Sequence, residues 1–290
     1  MDEHLQVGHI WPSSSEYASP AFCAPKYIAG VPDITVPPCW INDYHALNSN
    51  TIQDSFPLPR VDDILANCGK GKVFGKMDMT NSFFQTQVHP DEIHLTTVWM
   101  PWGLYEWTIM PQGGCNAPAT HQWWMTNVLW EFIGKICHVY LNNIIIWSQT
   151  MEEHKWNCNT ILKALQNASI YCNQAKSNLF ATELRFLGHI ISGTGIKADP
   201  CKTDHIATWP QPTTTTNVRG FLGLTRYITT FLPALAKYTS VLTPLTTKEC
   251  DQHFPTWTAK HQIAFENIKC LVLGADCLTI INYKDKESNI

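Results

Sequence analysis

Two stretches of the sequence hold residue types from which a reactive site could be built. In KVFGKMDM, residues 72–79, Asp78 places a carboxylate at the end of a strand-like run. Directly after it comes TNSFFQTQV, where Thr80 and Asn81 are both good helix N-caps, so a helical turn is expected there. In YLNNIIIWS, residues 140–148, Asn142 and Asn143 stand between two apolar runs, the pattern of a β-hairpin whose turn lies on the asparagines. Asparagine suits the positive-φ positions of such a turn. A carboxylate can hold a cation or take a proton, whereas an amide can only donate and accept hydrogen bonds. The eleven cysteines are scattered singly, without CxxC or zinc-type His/Cys spacing, so they read as free thiols rather than as disulfides or a zinc site.

The remaining sequence shows what could position these groups. With 290 residues and 44% hydrophobic content, the chain can bury a substantial core, and its length fits about two domains. No window approaches the roughly 20 apolar residues of a membrane span. The opening MDEHLQVGHIWPSSSEY lacks the basic and apolar regions of a signal peptide, so a reducing, non-secreted setting without a membrane partner is expected. Residues 1–70 are rich in proline and turn signals and end in a short helix at RVDDILANC. LTTVWM and YEWTIM flank PWGL as a hairpin, and residues 116–133 read as a helix with Pro118 near its first turn. An amphipathic helix is expected over 151–172, with Cys158, Ile161, Leu162, Leu165, Ala168 and Cys172 on one face. RFLGHIISGTGIKA forms a second hairpin turned by Gly193 and Gly195; WPQPTTTT is a linker, and two helical segments follow it. The fold class is therefore α+β with a mostly helical extension.

Ten strings in order resemble one family: PSSSEYASPAF, NDYHALN, PLPRVDDIL, KMDMTNSFFQ, PWGLYEW, MPQGGCNAPATHQ, YLNNIIIWS, FLGHIIS, GFLGLTRYI and LTPLTTKE. Over nearly the whole chain they are similar to the reverse transcriptase region of gypsy-class LTR retrotransposon Pol polyproteins, fungal ones in particular. The resemblance implies a right-hand polymerase fold: a lead-in over 1–20, fingers and palm over 21–192, and thumb and connection segment over 193–260. The truncated start of a ribonuclease H-like domain is expected over 261–290. It also implies RNA-directed DNA polymerase activity by two-metal nucleotidyl transfer, with Mg2+ or Mn2+ as cofactor. RNA template, DNA primer and deoxynucleoside triphosphates are the implied partners. In the family the metals sit on a carboxylate matched here by Asp78, beside the backbone of Met79, and on two aspartates of a YxDD turn. Here those two positions are Asn142 and Asn143. By the same resemblance Lys26 is the fingers lysine that meets the triphosphate, and Phe83 crowds a ribose 2′-hydroxyl. Gln112 and Gly113 line the incoming nucleotide, and Leu187, Gly188 and His189 form the primer grip. Without the resemblance, Phe83 is a core aromatic, Lys26 a solvated loop lysine, and 187–189 an ordinary glycine-bearing strand.

Mg2+ is a hard cation that favours anionic oxygen, so replacing two of three carboxylates by amides implies impaired catalysis. Other departures share a direction. Cys39 and His45 stand at arginine positions, Trp123 and Trp124 replace a basic pair, and Gly114 and Cys115 replace an apolar and a polar residue. Charged residues are only 15% of the chain, against about 25% in soluble domains, and arginine is confined to Arg60, Arg185, Arg219 and Arg226. One process, C-to-T transition at methylated CpG, converts arginine codons to Trp, Cys, His or Gln and aspartate to asparagine. The net charge of −4 argues mildly against a strong nucleic-acid grip. Three readings follow: a degenerate reverse transcriptase, a non-catalytic RNA- or DNA-binding protein derived from the element, and a non-functional relic. The expected setting is the cytoplasm, within a virus-like particle, or the nucleus.

Overall fold

The computed structural model describes residues 1–28, 31–33, 35, 36, 38–229, 232 and 234–274. The strand expected near the chain end, Asp276, Asp285 and most of the expected ribonuclease H-like start lie outside the described residues. The N-terminal part begins with a helix α1 (Asp2–Gln6) and the strands β1 (Ile10–Pro12), β2 (Ser19–Ala24), β3 (Lys26–Ile28), β4 (Val31–Asp33) and β5 (Cys39–Asn42). Helices α2 (His45–Asn50) and α3 (Val61–Cys68) lead to β6 (Val73–Asp78), and the hairpin β7 (Val98–Met100) and β8 (Gly103–Trp107) follows. A five-stranded sheet of order β1-β8-β7-β2-β5 results, with β3 and β4 as a separate two-stranded ribbon.

After α4 (Ala117–Leu129), the strands β9 (Cys137–Tyr140) and β10 (Asn143–Ser148) pair antiparallel. They join β6 and β11 (Asn178–Ala181) in a four-stranded sheet of order β11-β6-β10-β9, crossed by α5 (Met151–Asn167). Alternation along β10 sends successive side chains to opposite faces. Ile144 and Ile146, with Met77 of β6, pack with Met125 and Leu129 of α4 and with Cys158, Ile161 and Leu165 of α5. Ile145 and Trp147, with Phe74, pack instead with Ile64 and Leu65 of α3 and with residues from the last third of the chain. That third holds a three-stranded sheet, β12 (Glu183–Phe186), β13 (His189–Ser192) and β14 (Gly195–Ala198), then α6 (Pro200–Ala207) and α7 (Thr215–Thr229). Helices α8 (Leu235–Leu242), α9 (Lys248–Gln252) and α10 (Ala259–Leu273) follow, and Phe186, Ile191, Phe221, Phe265 and Ile268 complete the second core.

The alternation of sheets and helices expected from the sequence is present, and three local expectations are corrected. The amphipathic helix stops at Asn167, because Ser169 takes φ +56 and Cys172 leaves the helix to bridge Met79. Leu162, placed on its inner face, is exposed. The turn after Asp78 is a single 3-10 turn, Ser82–Gln85, with Asn81 at φ +43 and no side-chain cap. The boundaries expected at 192/193 and 260/261 fall in the turn between β13 and β14 and inside the first turn of α10.

A titratable group sits within the second core. His138 of β9 stacks on Trp147, ring centroids 5.3 Å apart, and its Nε2 lies 3.0 Å from Asn67 Nδ2. Burial pushes its pKa down to about 4, the charge of Asp63 opposing. The unfolded chain therefore binds the extra proton between the ordinary value of 6.5 and about 4, and stability is full above 6.5 and lost as pH falls through that window. Linkage sets the loss at up to about 3 kcal/mol. Urea unfolding is expected to show the midpoint falling from pH 6.5 to 4, with a shallower fall in His138→Gln. An equal slope in both proteins rules His138 out as its source.

Candidate active site

The register of the four-stranded sheet sets the geometry. Asn143 pairs across to Asp78 on one side and to Tyr140 on the other. Residues directly opposite in an antiparallel pair share a face, with Cβ atoms about 4.5–5.5 Å apart, so the Asp78 carboxylate and the Asn143 amide are neighbours at the same end of the sheet. The Asn142 carbonyl accepts from the Met79 N–H at 2.9 Å, which brings the fourth residue of the expected group to the same corner. The two amides also meet: Asn143 Nδ2 donates to Asn142 Oδ1 at 2.9 Å.

The same register corrects the expected turn. Because Asn143 already belongs to the ladder with Tyr140, the two turn residues are Leu141 and Asn142. The positive φ, +51, falls on Leu141 rather than on an asparagine. A branched side chain is costly in that conformation, and the compensation comes from α4. Gln122, fully buried, accepts from the Leu141 N–H through Oε1 at 2.8 Å and donates through Nε2 to the Val139 carbonyl at 3.2 Å. Sequence reasoning missed Gln122. Its signal was an amide on the apolar face that also carries Met125 and Leu129, since a buried polar residue is the informative exception.

Asp78 is held from the opposite side. Its N–H donates to Ser177 Oγ at 3.1 Å, its carbonyl accepts from the Asn173 N–H at 2.7 Å, and Ser177 Oγ donates to the Asn173 carbonyl at 2.7 Å. Gln85 closes the next turn: its side chain donates to the carbonyls of Thr80 and Tyr171 and accepts from the Tyr171 N–H at 2.8 Å. These bonds flank the helical turn expected after Asp78, which is a 3-10 turn without the expected Thr80 or Asn81 side-chain cap. Burial, and then the charge of Asp78, push the nearby Cys172 thiol up. No pattern in NQAKS announces this bracket, because it depends on which backbone groups the loop meets.

The remaining expected residues fall at varying remove. Phe83, half-buried, packs at a tilt against His121 of α4, the residue before Gln122, with ring centroids 5.4 Å apart. Gln112 and Gly113 are exposed on a loop tied to the N-terminal part by amides: Asn42 Nδ2 donates to the Gln112 carbonyl at 3.1 Å and Asn48 Nδ2 to the Gly113 carbonyl at 2.9 Å. Gly113 has φ +107, and a Cβ there would stand 3.0 Å from the Asn42 carbonyl, so the loop can lie this close only with glycine. Leu187 and Gly188, at φ +47 and +80, form the turn between β12 and β13, and His189 is buried behind it with Nδ1 3.1 Å from the Leu187 carbonyl. Lys26 is exposed on β3 opposite Asp33, and none of the described hydrogen bonds or ring contacts ties it to Asp78.

His121 is the anomaly of the site. It is fully buried against Phe83 and Trp124, and among the described residues neither ring nitrogen makes a hydrogen bond of good geometry, the Leu141 backbone being a polar neighbour. Burial holds its pKa below the ordinary value, the Leu141 backbone opposing. A buried unpaired donor costs about 1–3 kcal/mol, so His121→Phe, which keeps a ring between Phe83 and Trp124, is expected to stabilise the chain by that amount in urea unfolding. A lower midpoint would show that the imidazole is satisfied in solution.

Comparison with known proteins follows this geometry. Residues 36–191 match the family model described as reverse transcriptase (RNA-dependent DNA polymerase). The retrovirus-related Pol polyprotein from transposon opus of Drosophila melanogaster is 37% identical over 246 residues, 85% of this chain and 24% of that polyprotein. The Pol polyprotein from transposon 297 of the same species is 34% identical over 99% of this chain and 27% of its own length. The Transposon Tf2-7 polyprotein of Schizosaccharomyces pombe is 31% identical over 94% of this chain and 20% of its own. The chain thus spans about a quarter of the length of the curated relatives it matches. Among solved structures, the foamy viral protease-reverse transcriptase dRH in complex with double-stranded DNA superposes with a TM-score of 0.82 at 25% identity, over 94% of this chain and 46% of that one. The same viral protein in complex with an RNA/DNA hybrid gives 0.79 at 24% identity, over 94% and 36%.

Proposed function

We propose, from the premise that this chain belongs to the reverse transcriptase (RNA-dependent DNA polymerase) family, that it is the polymerase segment of a retrotransposon Pol polyprotein that keeps the fold and has lost nearly all nucleotidyl transfer. The observation that carries the reading is the pairing of Asp78 with Asn143, whose amide is in turn bonded to Asn142. A pair of divalent cations calls for several anionic oxygens, and this corner offers one carboxylate and two amides, one amide oxygen already engaged. Among the described residues no group of three or more His, Cys, Asp or Glu side chains converges. The residues therefore do not fit the two Mg2+ or Mn2+ ions of the family. Cys39, exposed on β5 at the expected arginine position, also offers no bidentate hold on a triphosphate. The test is extension of a DNA primer on an RNA template with Mg2+ and separately with Mn2+. No product above the enzyme-free blank is expected, and robust extension overturns the reading.

A second reading, a retained grip on a primer–template duplex, is favoured by one packing fact. Phe74, Ile145 and Trp147 of the four-stranded sheet share a core with Phe186 and Ile191 of the expected primer-grip strands, so their relative placement needs no metal. We place the RNA template and DNA primer against these elements, by analogy with the duplexes held by the foamy viral neighbours. The proposed setting is the cytoplasm, within a virus-like particle, or the nucleus. Surface composition supports decay by C-to-T transition: Trp11, Trp99, Trp102, Trp123, Trp130 and Trp156 are exposed, where large aromatics are unusual and a solvated cation is the ordinary occupant.

A further inference from the structure

Within the N-terminal part of the chain, two histidines face one another. His4 lies on α1 and His9 just before β1, and their Nδ1 atoms are 3.2 Å apart. The backbone between them is closed on itself: the His9 N–H donates to the His4 carbonyl at 2.9 Å, and Gly8 turns the chain at φ +72 with its N–H on the Leu5 carbonyl at 3.2 Å. Thr108, following β8, clamps the same loop, its N–H on the His9 carbonyl at 3.0 Å and its hydroxyl on the Gly8 carbonyl at 2.7 Å. Aromatic rings restrict the imidazoles from the side. Trp107, Phe84 and Trp40 stand edge-on to His4 at 5.3, 5.6 and 5.7 Å between centroids, and Phe84 lies 5.8 Å from His9. Both rings are thus held at a fixed separation before any ligand arrives.

We propose that His4 and His9 form a bis-imidazole site for a borderline divalent transition metal of the Ni2+, Cu2+ or Zn2+ type, separate from the Asp78 corner. With metal–nitrogen bonds of about 2.0–2.1 Å, nitrogens 3.2 Å apart subtend about 100° at the metal, between the square-planar and tetrahedral angles. Imidazole nitrogen selects these metals over Mg2+, which prefers oxygen. Without metal the same contact is an N–H···N hydrogen bond, one ring carrying its proton on Nδ1. On binding, that ring moves its proton to Nε2 and both rings turn from the N–N line so that their Nδ1 lone pairs converge on the cation; two neutral imidazoles enter and no net proton is released. Both residues are half-buried, which leaves solvent to complete the coordination. The bound metal ties α1 to the start of β1.

The test is Ni2+ titration calorimetry on the full chain, with His4→Gln and His9→Gln, each of which keeps a polar side chain of similar reach. One equivalent is expected to bind the unmodified chain, and about tenfold or more weaker in either variant, since loss of a direct ligand costs at least what loss of a supporting one does. Ni2+ should also quench tryptophan emission through the neighbouring Trp40 and Trp107, and that quenching should vanish in both variants. A measurement on the unmodified chain guards against misfolded variants. Ni2+ should protect His4 and His9 from carbethoxylation by diethyl pyrocarbonate, read peptide by peptide, while the exposed His45 reacts as before. No one-equivalent binding, variants that titrate like the unmodified chain, or protection absent from His4 and His9 overturns the proposal.

Discussion

Restoring both carboxylates, Asn142→Asp together with Asn143→Asp, is expected to raise Mg2+-dependent primer extension by at least on the order of a thousandfold over the unmodified chain. A pair of unit charges about 4 Å apart is worth roughly 4 kcal/mol at an effective dielectric near 20, and about 1.4 kcal/mol is tenfold in rate. Either carboxylate facing a divalent ion supplies one such term, so the estimate is a lower bound for two. The exchange is isosteric, and the Gln122 bond to Leu141 and the Ser177 bond to Asp78 that hold the turn involve neither asparagine side chain. The revertant carries its own check. The carboxylate restored at position 143 would stand directly opposite Asp78, and like charges at that distance oppose one another. Added Mg2+ should therefore raise its urea midpoint while leaving that of the unmodified chain alone. A revertant that folds, responds to Mg2+ in this way and still fails to extend a primer would move the defect to nucleotide binding, with Cys39 the first position to examine.

The second large effect is expected at Gln122. Gln122→Leu keeps the volume and removes both partners of the hairpin, leaving the Leu141 N–H and the Val139 carbonyl without their bonds. Each orphan costs about 1–3 kcal/mol, so a loss of about 2–6 kcal/mol in urea unfolding follows. Leu141 is kept at φ +51 by that bond, and releasing it lets the two asparagines drift from Asp78. In the Asn142→Asp, Asn143→Asp background the same change should lower kcat about a hundredfold, the usual effect of displacing a reacting group by an ångström or so. Gln122→Glu keeps the acceptor for Leu141 and, protonated by its burial, a donor for the Val139 carbonyl, so it should recover part of both losses, and more at acidic pH. If Gln122→Leu leaves stability within experimental error of the parent, the hairpin is held by its strands alone.

Much of this was legible from local pattern. The apolar runs on either side of the asparagines became β9 and β10, and the periodicity read over 151–172 became α5 as far as Asn167, because alternation and helical spacing record which side of an element is buried. The residue that takes the positive φ was not legible. Asparagine is the local favourite for it, yet Leu141 occupies it because a glutamine nineteen positions earlier supplies the bond. The amide ties from Asn42 and Asn48 to the 112–113 loop were equally silent, since a side chain reaching a distant carbonyl leaves no period in the sequence. The unpaired nitrogens of His121 could be seen only once α4 had been packed against Phe83.

The bond between the two asparagine side chains has a consequence for the history of the molecule. A cluster of carboxylates depends on a counterion to be tolerable, so an active site of that kind ties the comfort of the fold to the ionic content of its surroundings. Two amides that satisfy each other remove the dependence. The corner should keep its shape in a strong chelator as readily as in magnesium, because the two amides carry no charge that a cation must balance. On the proposed reading, the loss of nucleotidyl transfer carries no folding penalty at this corner, so the scaffold can outlast its chemistry.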